Sequence, residues 1–176
     1  HDFDQAKGRL RMRLCTPQEL TERGELPVVR LDPAPGIAAV LAFELPEGAC
    51  DVPPEDIAAW GHPEATLYAH GFSNLRQTAD LELARRELPS GAPMQMLRSD
   101  SPFVSAHILV LERLLGGPAP YGALACVPKN DLLIFHRIVD AGVRQAAEEI
   151  GKLAAMLHQR GPDALSPYLY WFRKGA

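Results

Sequence analysis

No stretch of this chain approaches the roughly 18–20 consecutive apolar residues that a bilayer-spanning helix needs, so no membrane association is expected. Dense lysine or arginine tracts are missing too. The 18 basic and 22 acidic side chains give a net charge of −4 and a pI of about 5.9, which argues against generic nucleic-acid binding, a process driven by phosphate neutralisation. The three cysteines, Cys15, Cys50 and Cys126, are odd in number, far apart and free of any C-x-x-C pair. That leaves no zinc or dithiol pattern and favours idle thiols in a reducing, cytoplasmic compartment. The six histidines form no H-x-x-x-H, so no metal is expected. The glycines never fall in G-x-G-x-x-G or G-x-x-x-x-G-K-[ST], and no cofactor is expected either. Disorder is excluded by what is present: 47% hydrophobic residues in a 176-residue chain suffice for one well-buried core.

The chain begins with His1 rather than methionine, so its first few residues are expected to carry no functional weight, and residues 1–26 are expected to be an N-terminal segment, truncated or partly ordered. Residues 27–176 then read as a single domain. Residues 27–31 predict a short strand stopped by Asp32-Pro33-Ala34-Pro35-Gly36, and the apolar run 37–45 a buried strand pairing with it. Pro53 and Pro54 followed by Glu55 and Asp56 open a short helix. Leu67, Gly71, Phe72 and Leu75 put an apolar stripe on a helix over 64–79. Residues 81–93 are polar and proline-ended, a helix extension or surface connection, and 94–98 a short strand. Ser101-Pro102 starts a helix running through 103–115 until Gly116-Gly117-Pro118. The runs 122–127 and 132–138, joined by Pro128-Lys129-Asn130-Asp131, form the clearest hairpin, with strands covered on both faces. Asp140 caps an amphipathic helix that Gly161-Pro162 ends. The aromatic stretch 168–172 closes the chain as a last strand or docked tail. The fold class is α+β, a mostly antiparallel sheet packed against helices.

Most chemically suggestive residues have a structural explanation. Ser73 lacks the glycines of a nucleophile elbow, and Cys126 sits in an apolar strand that would not support a thiolate. Asn74, a poor mid-helix residue, calls for a partner such as a loop carbonyl and acts as a clamp. His107 shares a face with Phe103, Val104, Leu111 and Leu114, the position of a core histidine with one hydrogen bond. Asp80, Asp100 and Asp131 sit at element ends, where aspartates cap and turn. The alternative gathers Asn74, Asp100, His107 and Asp131 into a polar site for a small ligand or a reaction, between the Asn74 helix and the Asp131 hairpin. The aromatics Tyr168, Tyr170, Trp171 and Phe172, without interleaved basic residues, read as a packed edge or an oligomer contact.

The segment Val127-Pro128-Lys129-Asn130-Asp131, with its apolar flanks, resembles the Val-Pro-x-x-Asp hairpin of the YtpQ-like family of bacterial proteins of unknown function (domain of unknown function 1444). In order with it, Pro27-Val28-Val29-Arg30 is similar to an early proline-aliphatic-arginine strand of that family, and Asn74-Leu75-Arg76 to its helical Asn-Leu element. The apolar helix led by Asp100 and the closing Ser166-Pro167-Tyr168-Leu169-Tyr170 also resemble its members, while Pro33-Ala34-Pro35 and the loop near Pro89 and Pro93 depart from them. The resemblance implies one cytoplasmic α+β domain and brings no activity, cofactor or catalytic residue. Because structural explanations absorb the candidate catalytic residues, the expected function is a non-enzymatic interaction or accessory module, of the immunity or chaperone-like kind. Its partner would be another protein or a second copy of the chain, bound through an exposed sheet edge or helix face.

Overall fold

The computed structural model describes residues 2–24 and 29–173. Its fold is α+β, with the antiparallel strands divided between two sheets. The first is built around β3 (Ile37–Leu45), buried from Ile37 through Phe43. β1 (Leu10–Cys15) pairs along one side of it; β2 (Arg30–Ala34) and then β4 (Gly48–Asp51) share the other. Of the strand expected at 27–31, Pro27 and Val28 lie outside the described residues. The observed β2 runs on through Asp32 and Pro33 to the turn at Gly36, where φ is +81°. Proline is tolerated there because an edge strand needs no inward N–H from every residue.

Residues 10–15, which the sequence sets apart from the domain, supply β1, and its Leu10, Met12 and Leu14 are fully buried. The short helices α1 (Phe3–Ala6) and α2 (Pro17–Glu22) flank it, and Leu20 of α2 packs on Cys15, Ala38 and Val40. On that face Arg13 joins three elements. Its guanidinium contacts Asp51 at 2.8 Å and Glu19 at 3.3 Å, and Arg23 reaches the same Asp51 at 2.8 Å. Desolvation of Arg13 is outweighed by these carboxylates, which raise its pKa.

The opposite face of the sheet carries α4 (Glu64–Arg76), reached through α3 (Pro54–Trp60). Leu67, Gly71 and Leu75 are its buried side, matching the expected stripe. Gly71 allows a close approach, since a Cβ there would lie 2.9 Å from Met12 Sδ and 3.1 Å from Leu41 Cδ1.

The second sheet has the order β5-β6-β8-β7-β9. Its centre is the expected hairpin, β7 (Ala123–Lys129) and β8 (Leu132–Arg137), with a register shift between Cys126 and Lys129. β6 (Pro93–Arg98) pairs with β8. The segment 81–93, expected as a helix extension or connection, contains an edge strand, β5 (Leu83–Glu87), in register with β6 from Leu83↔Leu97 to Glu87↔Pro93. Its exposure explains its polar composition: an edge strand bearing Arg85, Arg86 and Glu87 carries no apolar alternation to read.

Each face of this sheet has its own cover. Cys126, Leu132 and Ile134 pack against Ala146, Ile150 and Ala154 of α5 (Val143–His158). Asp140 stands ahead of that helix, its Oδ1 accepting from Gly142 N at 2.8 Å. The other face, with Leu97, Ala125, Leu133 and Phe135, shares the main core with Leu10, Met12, Leu41, Leu67 and Leu111. Between the sheets, the helix expected over 103–115 is instead a tight 3-10 segment, Ser105–Arg113, broken at Val110 (φ −129°, ψ 34°). Burial on more than one side, expected from its composition, holds here: Ser105, Ala106, His107, Val110 and Leu111 are all buried. Local packing wins over the α-helical ladder, and Arg113 anchors the end by donating to the Leu75 carbonyl at 2.8 Å.

Candidate functional site

The side chains expected in a polar site have separate occupations. Asn74 Nδ2 donates to the carbonyls of Lys7 at 2.7 Å and Leu10 at 2.8 Å. It is a clamp holding the approach to β1 against α4, satisfying backbone acceptors that no strand partner reaches. His107 is 2% exposed, and among the described residues its Nδ1 has no hydrogen-bond partner. Desolvation, then the positive charges of Arg113 and Arg11, lower its pKa to about 4, and the imidazole is neutral at pH 7. Asp131 sits in the β7–β8 turn and accepts from Arg98 at 3.3 Å. Asp100 is exposed, on the rim of a depression shared with Glu44, Leu45 and Phe103. No hydrogen bond joins any of the four to another among the described residues.

The two buried thiols, Cys15 and Cys126, are equally unsuited to chemistry. Burial pushes Cys126 up to about 12 and Cys15 up to about 11, so neither supplies a thiolate at neutral pH. Among the described residues no group of three or more His, Cys, Asp or Glu side chains is placed to hold a metal ion.

A different region has the shape of a binding site. β9 (Tyr170–Phe172) pairs with β7 through Ala125↔Tyr170, Leu124↔Trp171 and Ala123↔Phe172, forming the edge of the second sheet. Between this edge and the β2–β3 turn of the first sheet lies a groove of about 350 Å³. Pro33, Ala34 and Ile37 form one wall, Tyr170, Trp171 and Phe172 the other, and Ile108 and Leu109 also line it.

Hydrogen bonds fix the aromatic wall. Tyr170 Oη donates to Pro35 O at 2.9 Å across 135 positions of sequence. That phenol has a single proton, so the Ser166 hydroxyl donates to it at 2.6 Å; Ser166 Oγ in turn accepts from Tyr168 N at 3.2 Å. Desolvation raises the pKa of Tyr170, keeping it protonated and donating. The Tyr168 ring lies over Gly36, where a Cβ would come within 2.9 Å of it. Trp171 Nε1 donates to Tyr121 O at 2.8 Å, and Arg173 stacks 5.0 Å from the indole centroid.

Tyr168 and Trp171 nonetheless stay open, at 54% and 59% exposed, and Tyr121, whose carbonyl holds the indole, is 58% exposed beside them. Among the described residues that line the groove there is no acid, imidazole or thiol, and the one ionised group is Arg173. The arrangement can bind an apolar partner; it offers no general base or nucleophile. The aromatic edge is visible in the sequence but the opposite wall is not, because Pro33 and Ala34 read as a loop and Ile108 and Leu109 as helix core. No family model, curated protein or solved structure matches the chain.

Proposed function

We propose that this protein is a non-enzymatic protein-interaction module whose partner docks on the Tyr121, Tyr168 and Trp171 surface and inserts apolar side chains into the adjoining groove. The observation that carries the reading is three large aromatic rings more than half exposed beside a groove open to solvent, with Trp171 held by its hydrogen bond and Tyr168 packed against Gly36. Tryptophan, tyrosine and arginine are the residues that dominate interface energetics, and pre-ordered rings lose little entropy on binding. Contact by side chains fits better than addition of a strand, since β9 has three residues and Pro33 of β2 has no N–H to offer. The accessory role expected from the sequence is compatible with this surface.

The test is site-specific photo-crosslinking in cells from Tyr168 and from Trp171, with exposed Lys152 on α5 as the control position. A discrete adduct from both aromatic positions supports the proposal if it is absent from Lys152 and if the Tyr168 probe loses it when Trp171→Ala is introduced in the same chain. An adduct of twice the chain mass identifies a second copy as the partner. Equal adducts from all positions, or none from the aromatic ones, overturn it.

A further inference from the structure

We infer that a second concave site, on the opposite side of the second sheet from β9, binds a small phosphate monoester with an apolar body. The strand register builds it. Arg85 of β5 pairs with Gln95 of β6, and Gln95 with Phe135 of β8, so the three form one transverse row on the sheet. Arg137, two residues beyond Phe135, projects from the same face. Together with Pro93 and Leu115 they line a cavity of about 270 Å³.

Two features distinguish this cavity from an ordinary charged surface. Elsewhere, arginines are largely committed: Arg11, Arg13, Arg23, Arg30, Arg76 and Arg98 pair with carboxylates, and Arg9 and Arg113 donate to carbonyls. Among the described residues the side chains of Arg85, Gln95 and Arg137 have no hydrogen bond or ion pair at all, and all three converge on one hollow in a chain of net charge −4. The second feature is Gly117, where a Cβ would collide with Arg137 Nη1. The guanidinium, at the tip of an exposed and flexible side chain, rests against this glycine.

Two guanidinium groups and a carboxamide supply several N–H donors in forked geometry, matched to the oxygens of an oxyanion. Charge decides between oxyanions. Two arginines balance the charge of about −2 on a phosphate monoester, whereas a monocarboxylate leaves one cation unpaired. Exposed Pro93 offers apolar contact for the body of the ligand above the buried Leu115 and Phe135, and the volume suits a compact molecule.

Calorimetric titration of the whole chain with phenyl phosphate tests this, with inorganic phosphate and benzoate as comparison ligands and Arg85→Gln and Arg137→Gln as variants. Both arginines are exposed, so the variants keep the fold, and Arg144→Gln on α5 controls for general charge loss. The expected result is saturable binding of phenyl phosphate, tighter than either comparison ligand and weakened at least about tenfold by each pocket variant but not by Arg144→Gln. Absence of saturable binding, equal affinity in the pocket variants, or inorganic phosphate or benzoate binding as tightly as phenyl phosphate overturns the inference.

Discussion

Arg13 of the first sheet and Arg85 and Arg137 of the second stand in opposite settings. In the first, Arg13 is almost enclosed, with a side chain only 11% exposed, and its contacts with Asp51 and Glu19 tie β1, β4 and α2 together. In the second, Arg85 and Arg137 stand in an open hollow, with no carboxylate among the described residues to neutralise them. A desolvated cation needs its partners within the molecule, since an uncompensated charge there is costly. An exposed one is solvated and can wait for a partner from outside. The same residue type thus marks architecture in one sheet and an interaction site in the other, and burial together with pairing separates the two.

The comparison makes its largest demand on Arg13. Arg13→Met leaves Asp51 and Glu19 without the guanidinium they share and is expected to cost about 3 kcal/mol in urea unfolding; a loss below about 1 kcal/mol would place this network among the weak surface pairs. Between the sheets, His107 tests the reverse case, a base kept neutral by burial. Its folded pKa of about 4 lies below the ordinary 6.5, so the unfolded chain binds more protons between those values. Stability is therefore full above about pH 6.5 and falls as the pH drops towards 4, by up to about 3 kcal/mol. In His107→Leu the contribution to that slope disappears, which unfolding midpoints at pH 7, 5.5 and 4.5 will reveal. The smallest effect belongs to the open hollow: Arg85→Gln combined with Arg137→Gln should change stability by no more than about 0.5 kcal/mol. A larger loss in the same unfolding measurement would mean that these arginines hold the fold together after all.

Much of this division is legible in residue order. The runs on either side of Asn130-Asp131 predict the central hairpin because they are apolar, β-branched and interrupted by turn chemistry, and Asn74 announces a carbonyl partner by being an awkward helix residue. β1 is passed over although Leu10, Met12 and Leu14 alternate with Arg11 and Arg13 as in a half-buried strand, because residues 1–26 are set apart as an N-terminal segment. β5 is hidden because an exposed edge has few apolar residues to betray it. The groove cannot be read locally: its walls come from positions near 35, 108 and 171, brought together only by tertiary packing. The arginine hollow depends likewise on strand register, which places Arg85, Gln95 and Phe135 in one row although they are distant in the chain.

The hydrogen bond from Tyr170 to Pro35 has a kinetic consequence. Its two ends are 135 positions apart, so the contact forms only after a very long loop has closed, and topologies rich in such distant contacts fold slowly. The aromatic wall is therefore expected to form late in folding, with φ-values of about 0 for substitutions at Tyr170. A chain arrested before that closure would own both sheets in outline and still lack the face it presents to others.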